Sequence, residues 1–189
     1  MSKLLPAIFA ILTVASAATV QETQLGTFGD KGKLYIKPAP PPAAYVNGTH
    51  TNSVLREDFS VTNFQCVPPG SNGPASGDDC AEIYRELLNI SGQSYTIPPL
   101  EILTFEYISC AVGILNRDVC GDIHFTAGEL APFVNTMLQC PYNYGADGVI
   151  EGEDPPVMIV MTGLDEDLPS YTADGNCNDA HDELKRSQA

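Results

Sequence analysis

The sequence predicts an α+β fold, an antiparallel β-sheet with two helices packed on it, in a small secreted domain stapled by disulfides. Three observations support this prediction. Hydrophobic patterns run in the order strand, helix, hairpin strands, helix, strand. The chain has six cysteines, and it begins with a segment that has the features of a secretory leader.

Residues 1–17 have the three parts of a signal peptide. Lys3 supplies the positive charge, residues 4–14 are mostly apolar, and Ala15-Ser16-Ala17 is an A-x-A cleavage signal. We expect the mature chain to start near Ala18 and to be secreted into the extracellular space. No later segment reaches the length of a membrane span, so we expect no integral membrane segment.

The charge of the chain is strongly negative, with 9 Lys+Arg against 24 Asp+Glu and a formal net charge of −15. A polyanion repels nucleic-acid phosphate and anionic lipid, so we expect no nucleic-acid partner. A solvated acidic surface keeps a secreted protein soluble, and we expect a monomer.

Composition divides the chain after the leader into three parts. Residues 18–58 are a Pro-rich extended segment, in which residues 38–42 favour polyproline geometry and Lys33–Ile36 suits a short strand. Whether that strand joins a sheet or lies on a free arm is left open. Residues 59–165 form the predicted domain, and residues 166–189 form an acidic tail. The sequons at Asn47 and Asn89 predict N-glycosylation at exposed positions.

The first half of the domain contains a strand, a helix and a second strand. Residues 59–64 suggest a strand that leads to Cys66. Asp79 and Glu82 have the spacing of a capping box, which predicts a helix over 80–91 with Ile83, Leu87 and Leu88 on one face. Residues 94–97 form a short strand that Pro98-Pro99 ends.

The second half of the domain is predicted to start with a hairpin. Residues 101–114 favour one strand, with Leu103, Phe105 and Tyr107 on the same face, and residues 122–125 return after a turn at 116–118. Thr126 and Glu129 then predict a helix over 128–139. Pro132 implies that this helix either starts late or is kinked. Residues 157–161 suit a strand that is buried on both faces.

The segment from Cys66 to about Gly163 resembles the necrosis-inducing-factor family of secreted fungal effectors, which have an extracellular-protein-two effector-like domain. The resemblance rests on four pieces of the chain. They are Cys66 with the loop to Asp79-Cys80 at the opening of a helix, the strand 106–113 with its cysteine, residues 122–130, which combine strand, glycine turn and helix start, and residues 133–140, which continue as the second helix. The chain departs from the family in having no tryptophan and no cysteine in residues 157–161.

The resemblance implies a secreted fungal effector, virulence factor or toxin-like protein, with some likeness to killer toxins. Such a protein acts by binding a host or competitor protein or surface component rather than by catalysis. The family contributes no catalytic residue and no cofactor, so we expect none here.

The six cysteines are expected to form three disulfides. They are Cys66, Cys80, Cys110, Cys120, Cys140 and Cys177. The spacing does not by itself select a pairing. We expect Cys80–Cys110, which would join the first helix to the central strand, and elimination then leaves Cys66–Cys177 and Cys120–Cys140.

Two features suggest other chemistry. Asp122 and His124 stand two apart on a predicted strand, as an acid–base pair would, although a strand histidine near a carboxylate is the more ordinary reading. The acidic loops at 151–154, 165–167 and 174–179 offer oxygen ligands for calcium, but the last lacks the turn glycine and final ligand of an EF-hand. We expect solvated loops and no metal. The alternatives are a small extracellular hydrolase and a glycosylated cell-wall structural protein.

Overall fold

A computed structural model describes residues 22–46, 53–54, 61–68, 74–140, 148–152, 156–164 and 168–175. These residues form two helices, α1 (Gly77–Asn89) and α2 (Ala127–Met137), together with twelve strands. The strands are β1 (Thr23–Phe28), β2 (Gly32–Pro38), β3 (Ala44–Val46), β4 (Ser53–Val54), β5 (Val61–Cys66), β6 (Ser94–Ile97), β7 (Glu101–Tyr107), β8 (Cys110–Asn116), β9 (Ile123–Thr126), β10 (Gly148–Gly152), β11 (Val157–Gly163) and β12 (Thr172–Asp174).

The centre of the fold is a seven-stranded sheet in the order β1-β2-β7-β8-β11-β10-β5. Every neighbouring pair in it is antiparallel. The continuous apolar run Val157–Met161 occupies β11, and all five residues are buried, as the sequence predicted. With α1 and α2 packed on one face of the sheet, the predicted α+β class is confirmed.

The inner face of the sheet and the two helices enclose the main hydrophobic core. Ile83 and Leu87 of α1 and Leu130, Val134 and Met137 of α2 are fully buried there. The sheet contributes alternate residues of its central strands, because successive side chains of a strand point to opposite faces. These residues are Leu34, Leu103, Phe105, Val112, Ile114, Ile159 and Met161. Each large side chain buried in this way contributes about 1.5–3 kcal/mol.

The helix starts differ in how well the sequence predicted them. The Thr126–Glu129 capping box is present, and α2 begins at Ala127. Of the two alternatives for Pro132, a late helix start and a kink, the late start does not occur, since α2 begins at Ala127 and Pro132 lies inside it. The predicted Asp79 cap is wrong. Ser76 caps α1 by accepting a hydrogen bond from the amide of Asp79, so the helix begins three residues earlier than expected.

The predicted single strand over 101–114 is two strands. The chain turns at Ile108-Ser109, so that β7 and β8 form a hairpin in which Tyr107 pairs with Cys110. Residues 122–125 therefore do not pair with this segment as predicted. They form most of β9, which lies between β4 and β6 in a separate three-stranded sheet.

Two disulfides join described residues. The predicted Cys80–Cys110 bond is present, with Cα atoms 5.3 Å apart, and links α1 to β8. The predictions Cys66–Cys177 and Cys120–Cys140 are wrong, because Cys66 is bonded to Cys140 across a Cα separation of 5.5 Å. Cys120 is also disulfide-bonded, to a partner outside the described residues.

The Cys66–Cys140 pairing follows from where α2 ends. Cys66 pairs in register with Gly148 of β10. A Cβ atom added to Gly148 would lie 3.1 Å from Cγ of Met137 and 3.4 Å from Sγ of Cys140. The end of α2 thus packs closely on the β10–β5 edge of the sheet, and a side chain at position 148 would require Met137 to move by a few tenths of an ångström.

The sheet also includes residues from outside the central domain that the sequence outlined. Strand β2, which contains the predicted strand 33–36, pairs with β7, so this segment belongs to the sheet and not to a free arm. Near the other end of the chain, β12 pairs in parallel with β3, and these two strands form a separate two-stranded sheet. Within the described residues, no helix is long and apolar enough to span a membrane.

Candidate binding site

The face of the seven-stranded sheet opposite the helices, here called the outer face, changes character along its strands. One half is apolar and carries Ile102, Leu115, Met158 and Val160. The other half carries Lys33, Tyr35, Thr104, Glu106 and Thr162, which come from alternate positions of β2, β7 and β11. A half-polar face can remain in contact with solvent, as is common for antiparallel sheets.

A strap made of residues 39–46 and 168–175 covers the apolar half. Tyr171 is buried against Ile102, Leu115 and their neighbours. Its hydroxyl donates a 2.6 Å hydrogen bond to the carbonyl of Pro40, and the amide of Ala43 donates to the Tyr171 carbonyl. The proline-rich segment is therefore fixed against the sheet by a residue from the C-terminal part of the chain.

Next to the strap, the polar half of the outer face carries an open cavity of about 320 Å³, here called the outer groove. Its floor is made of small residues of β8 and β11. Its lining consists of Glu22, Lys33, Tyr35, Lys37, Ile102, Thr104, Glu106, Ala111, Gly113, Val160, Thr162, Gly163 and Leu168. Gly113 has a specific role, because a Cβ there would come within 2.7 Å of Cδ1 of Ile102. Because Gly113 has no Cβ atom, the side chain of Ile102 can lie across β8.

Tyr35 and Glu106 form the polar centre of the outer groove. The hydroxyl of Tyr35 donates a hydrogen bond to Oε1 of Glu106 on the neighbouring strand. Burial raises the pKa of Tyr35 above its usual value, and the hydrogen bond to Glu106 and the charges of Glu106 and Glu22 raise it further. Tyr35 is therefore a neutral hydroxyl over the whole physiological pH range.

Thr104 adds a second buried hydroxyl to the floor of the outer groove. The residue is 5% exposed and is the register partner of Tyr35 on the neighbouring strand. Its hydroxyl interacts with that of Tyr35 and lowers the pKa of Tyr35, against the larger effect of burial.

Lys33 and Lys37 line the outer groove, and Lys31 lines an adjoining cavity. Lys31, Lys33 and Lys37 are three of only nine Lys and Arg residues in the chain. None of them makes an ion pair with a carboxylate of the described residues, although acids outnumber bases more than twofold. Nζ of Lys37 lies 5.3 Å from the centre of the Tyr35 ring, which places its charge on an aromatic face.

A shallower cavity of about 200 Å³ adjoins the outer groove at the β7–β8 turn. Lys31, Lys33, Glu106, Ile108 and Leu164 line it. Ile108 has a φ of +50°, which a β-branched residue rarely adopts, and its side chain is 48% exposed. The turn is thus strained by about 1–3 kcal/mol while it presents an apolar side chain to solvent.

The structure does not bring the sequence-predicted acid–base pair together. Nδ1 of His124 lies 2.9 Å from Oγ1 of Thr96, its cross-strand neighbour, and the described residues contain no hydrogen bond between His124 and Asp122. Asn89 is exposed at the last residue of α1, where the sequence placed it, while Asn47 lies outside the described residues. The glycosylation of both remains a prediction.

The proposed calcium loops lie mostly outside the described residues. Of their carboxylates, Glu151 is described and accepts a 3.3 Å hydrogen bond from Asn63. In the described part of the chain, no three His, Cys, Asp or Glu residues are grouped as metal ligands would be.

Sequence reasoning missed the outer groove. Two signals for it are present in the sequence. Three lysines fall within residues 31–37 of an acidic chain, and the small residues Ala111 and Gly113 interrupt a strand otherwise rich in large apolar types. Comparison of the chain with protein-family models gave no match, and comparison with curated proteins gave none either.

Proposed function

We propose that this protein is a secreted effector or toxin-like protein that acts by binding a host or competitor target through its outer groove. The observation that carries the proposal is the outer groove itself. It is an open, polar cavity on one half of the outer face, and the strap covers the other half. A concave cavity with several convergent polar groups is where a ligand-binding site is expected.

The framework around the outer groove suits an extracellular binding protein. The Cys80–Cys110 bond fixes the hairpin that supplies Thr104, Glu106 and Gly113 to the outer groove. A disulfide of this kind contributes about 2–4 kcal/mol of stability, mainly by restricting the unfolded chain. It forms in the oxidising compartment to which the leader at residues 1–17 would direct the chain.

The resemblance to the necrosis-inducing-factor family supports the same proposal. It covers the stretch from Cys66 to about Gly163, which includes β7, β8 and β11 and therefore much of the lining of the outer groove. On this basis we propose a fungal source, and a host or competitor cell as the target.

The test applies purified mature protein to plant leaf tissue and to competing fungal cells and scores cell death. Thr162→Phe fills the outer groove with a side chain that strands accept, and Asn135→Phe adds the same bulk on the exposed side of α2. We expect death from the wild type and from Asn135→Phe, and little or none from Thr162→Phe. Equal activity of the two variants would show that the target binds elsewhere.

The hydrolase alternative is tested in the same assay with His124→Ala. Binding without catalysis predicts that this variant kills as well as the wild type, because His124 lies in the β6–β9 sheet and does not line the outer groove. Loss of activity in a folded His124→Ala protein, as judged by an unchanged melting temperature, would favour the hydrolase.

A further inference from the structure

We propose that the outer groove binds an acidic saccharide, a sugar unit with ring hydroxyls and one carboxylate. This inference rests on the proposed function, since it names the chemistry of the ligand that the same groove would take. It is drawn from the three kinds of polar group that line the groove, namely ammonium, hydroxyl and carboxylate groups.

The ammonium groups indicate an anion. Lys33 and Lys37 line the outer groove, and Lys31 and Lys33 line the adjoining shallow cavity. In a chain of net charge −15, lysines within reach of so many carboxylates would be expected to form ion pairs. Lys31 and Lys33 form none with the described residues, so no carboxylate of the described part of the chain neutralises them. Charges of this kind favour a ligand that carries a carboxylate.

The hydroxyl and carboxylate groups indicate a polyhydroxylated ligand. Tyr35, Thr104 and Thr162 contribute three hydroxyl-bearing side chains to the lining of the outer groove. Glu106 and Glu22 accept hydrogen bonds, and ring hydroxyls can donate to them. Phosphate, with up to two negative charges on one small group, would be repelled by these two carboxylates more strongly than a sugar unit with one carboxylate and several hydroxyls. A neutral sugar would provide no charge to pair with the lysines.

The size of the outer groove agrees with this ligand class. A cavity of about 320 Å³ lies at the small end of the range for small-molecule sites, which corresponds to one or two sugar rings. The half-buried side chain of Leu168 provides apolar surface for one face of a sugar ring.

The test is titration calorimetry of the purified mature protein with digalacturonate. The comparison ligands are a neutral digalactose of the same length and inorganic phosphate. We expect digalacturonate to bind, with an affinity that falls as salt concentration rises, and the neutral disaccharide and phosphate to bind at least about tenfold more weakly.

A pair of charge-matched variants locates the binding. Lys33→Gln removes one positive charge at the outer groove, and Arg85→Gln removes one on the exposed surface of α1. We expect digalacturonate affinity to fall about tenfold or more in the first and to stay within about twofold in the second. Both are surface changes, so both variants should keep the wild-type melting temperature.

Absence of digalacturonate binding would overturn this inference, and so would equal binding of the neutral sugar or equal loss in the two variants. Its failure can be told from failure of the proposed function. If Thr162→Phe abolishes cell killing while digalacturonate does not bind, the outer groove is the functional site and only the ligand class is wrong.

Discussion

The carboxylate of Asp79 accepts two hydrogen bonds from Ser109, through the same oxygen, Oδ2. The amide of Ser109 lies 3.2 Å from that oxygen and its hydroxyl lies 2.5 Å from it. The residues that follow each of them, Cys80 and Cys110, form the disulfide. A charged hydrogen-bonded pair and a covalent bond thus hold the start of α1 against the β7–β8 turn, next to the shallow cavity beside the outer groove.

Removing the charge of Asp79 tests this contact. We expect Asp79→Asn to lower the free energy of unfolding by about 1.5–3 kcal/mol, because hydrogen bonds to a charged group are stronger than neutral ones. Asp78→Asn is the matched control. Asp78 is exposed in the same first turn, and its substitution removes the same charge. It should cost about 0.3–1 kcal/mol through the helix dipole alone. Equal losses in denaturant unfolding would contradict the role of Ser109.

Peptide mapping without reduction tests the disulfides. We expect linked fragments for Cys66–Cys140 and Cys80–Cys110. With those four cysteines paired, the pairing left among the six is Cys120–Cys177, and we expect that fragment as well. A fragment that links Cys66 to Cys177 would show that the described pairing is wrong.

Asn116 anchors the loop that follows β8. It is fully buried, and its Nδ2 donates to the carbonyls of Ile97 at 2.9 Å and Gly121 at 2.8 Å, while its Oδ1 accepts from the amide of Asp118. Asn116→Ala leaves these buried groups without partners and should cost about 3 kcal/mol in denaturant unfolding. Asn135→Ala, on the exposed side of α2, should stay within about 0.5 kcal/mol. Similar effects of the two substitutions would contradict the network.

The buried hydroxyl of Tyr35 predicts a pH dependence. Its pKa is raised in the folded protein, mainly by burial and then by Glu106, so folding holds its proton more tightly than the unfolded chain does. The resulting stability is fully present below about pH 10 and is lost as the pH rises through the folded pKa. We expect Tyr35→Phe to reduce this alkaline loss by up to about 1.4 kcal/mol per pH unit.

The measurement is denaturant unfolding of wild type and Tyr35→Phe at several pH values on both sides of pH 10. Because the chain has no tryptophan, tyrosinate absorbance follows the ionisation in the same samples. If the free energy of unfolding changes with pH in the same way in the two proteins, the pKa of Tyr35 does not differ between the folded and the unfolded chain.

The helices and the buried strand were predicted because their signals are local. Periodic apolar residues and the Thr126–Glu129 cap predicted α2 to within two residues, and the run Val157–Met161 predicted β11. The β7–β8 turn was missed because Ile108-Ser109 has none of the usual turn residues at its first position. Ile108 has an unusual backbone conformation, and the two residues that follow it are held by Asp79 and by the Cys80–Cys110 bond.

The sheet order, the Cys66–Cys140 pairing and the outer groove depend on contacts between distant residues. Strand β2 pairs with β7 across a long stretch of chain, and this pairing brings Tyr35 to Glu106. The floor of the groove arises because Ala111 and Thr162 are register partners on β8 and β11. Sequence periodicity determines which face a residue occupies, but not which strand lies beside it.

The central claim is that the outer groove is the binding surface. The most direct test is the saturation binding of fluorescently labelled mature protein to intact target-cell walls, compared for wild type, Thr162→Phe and Asn135→Phe. We expect saturable binding by wild type and Asn135→Phe, and at least about tenfold weaker binding by a folded Thr162→Phe. Undiminished binding by Thr162→Phe would contradict it.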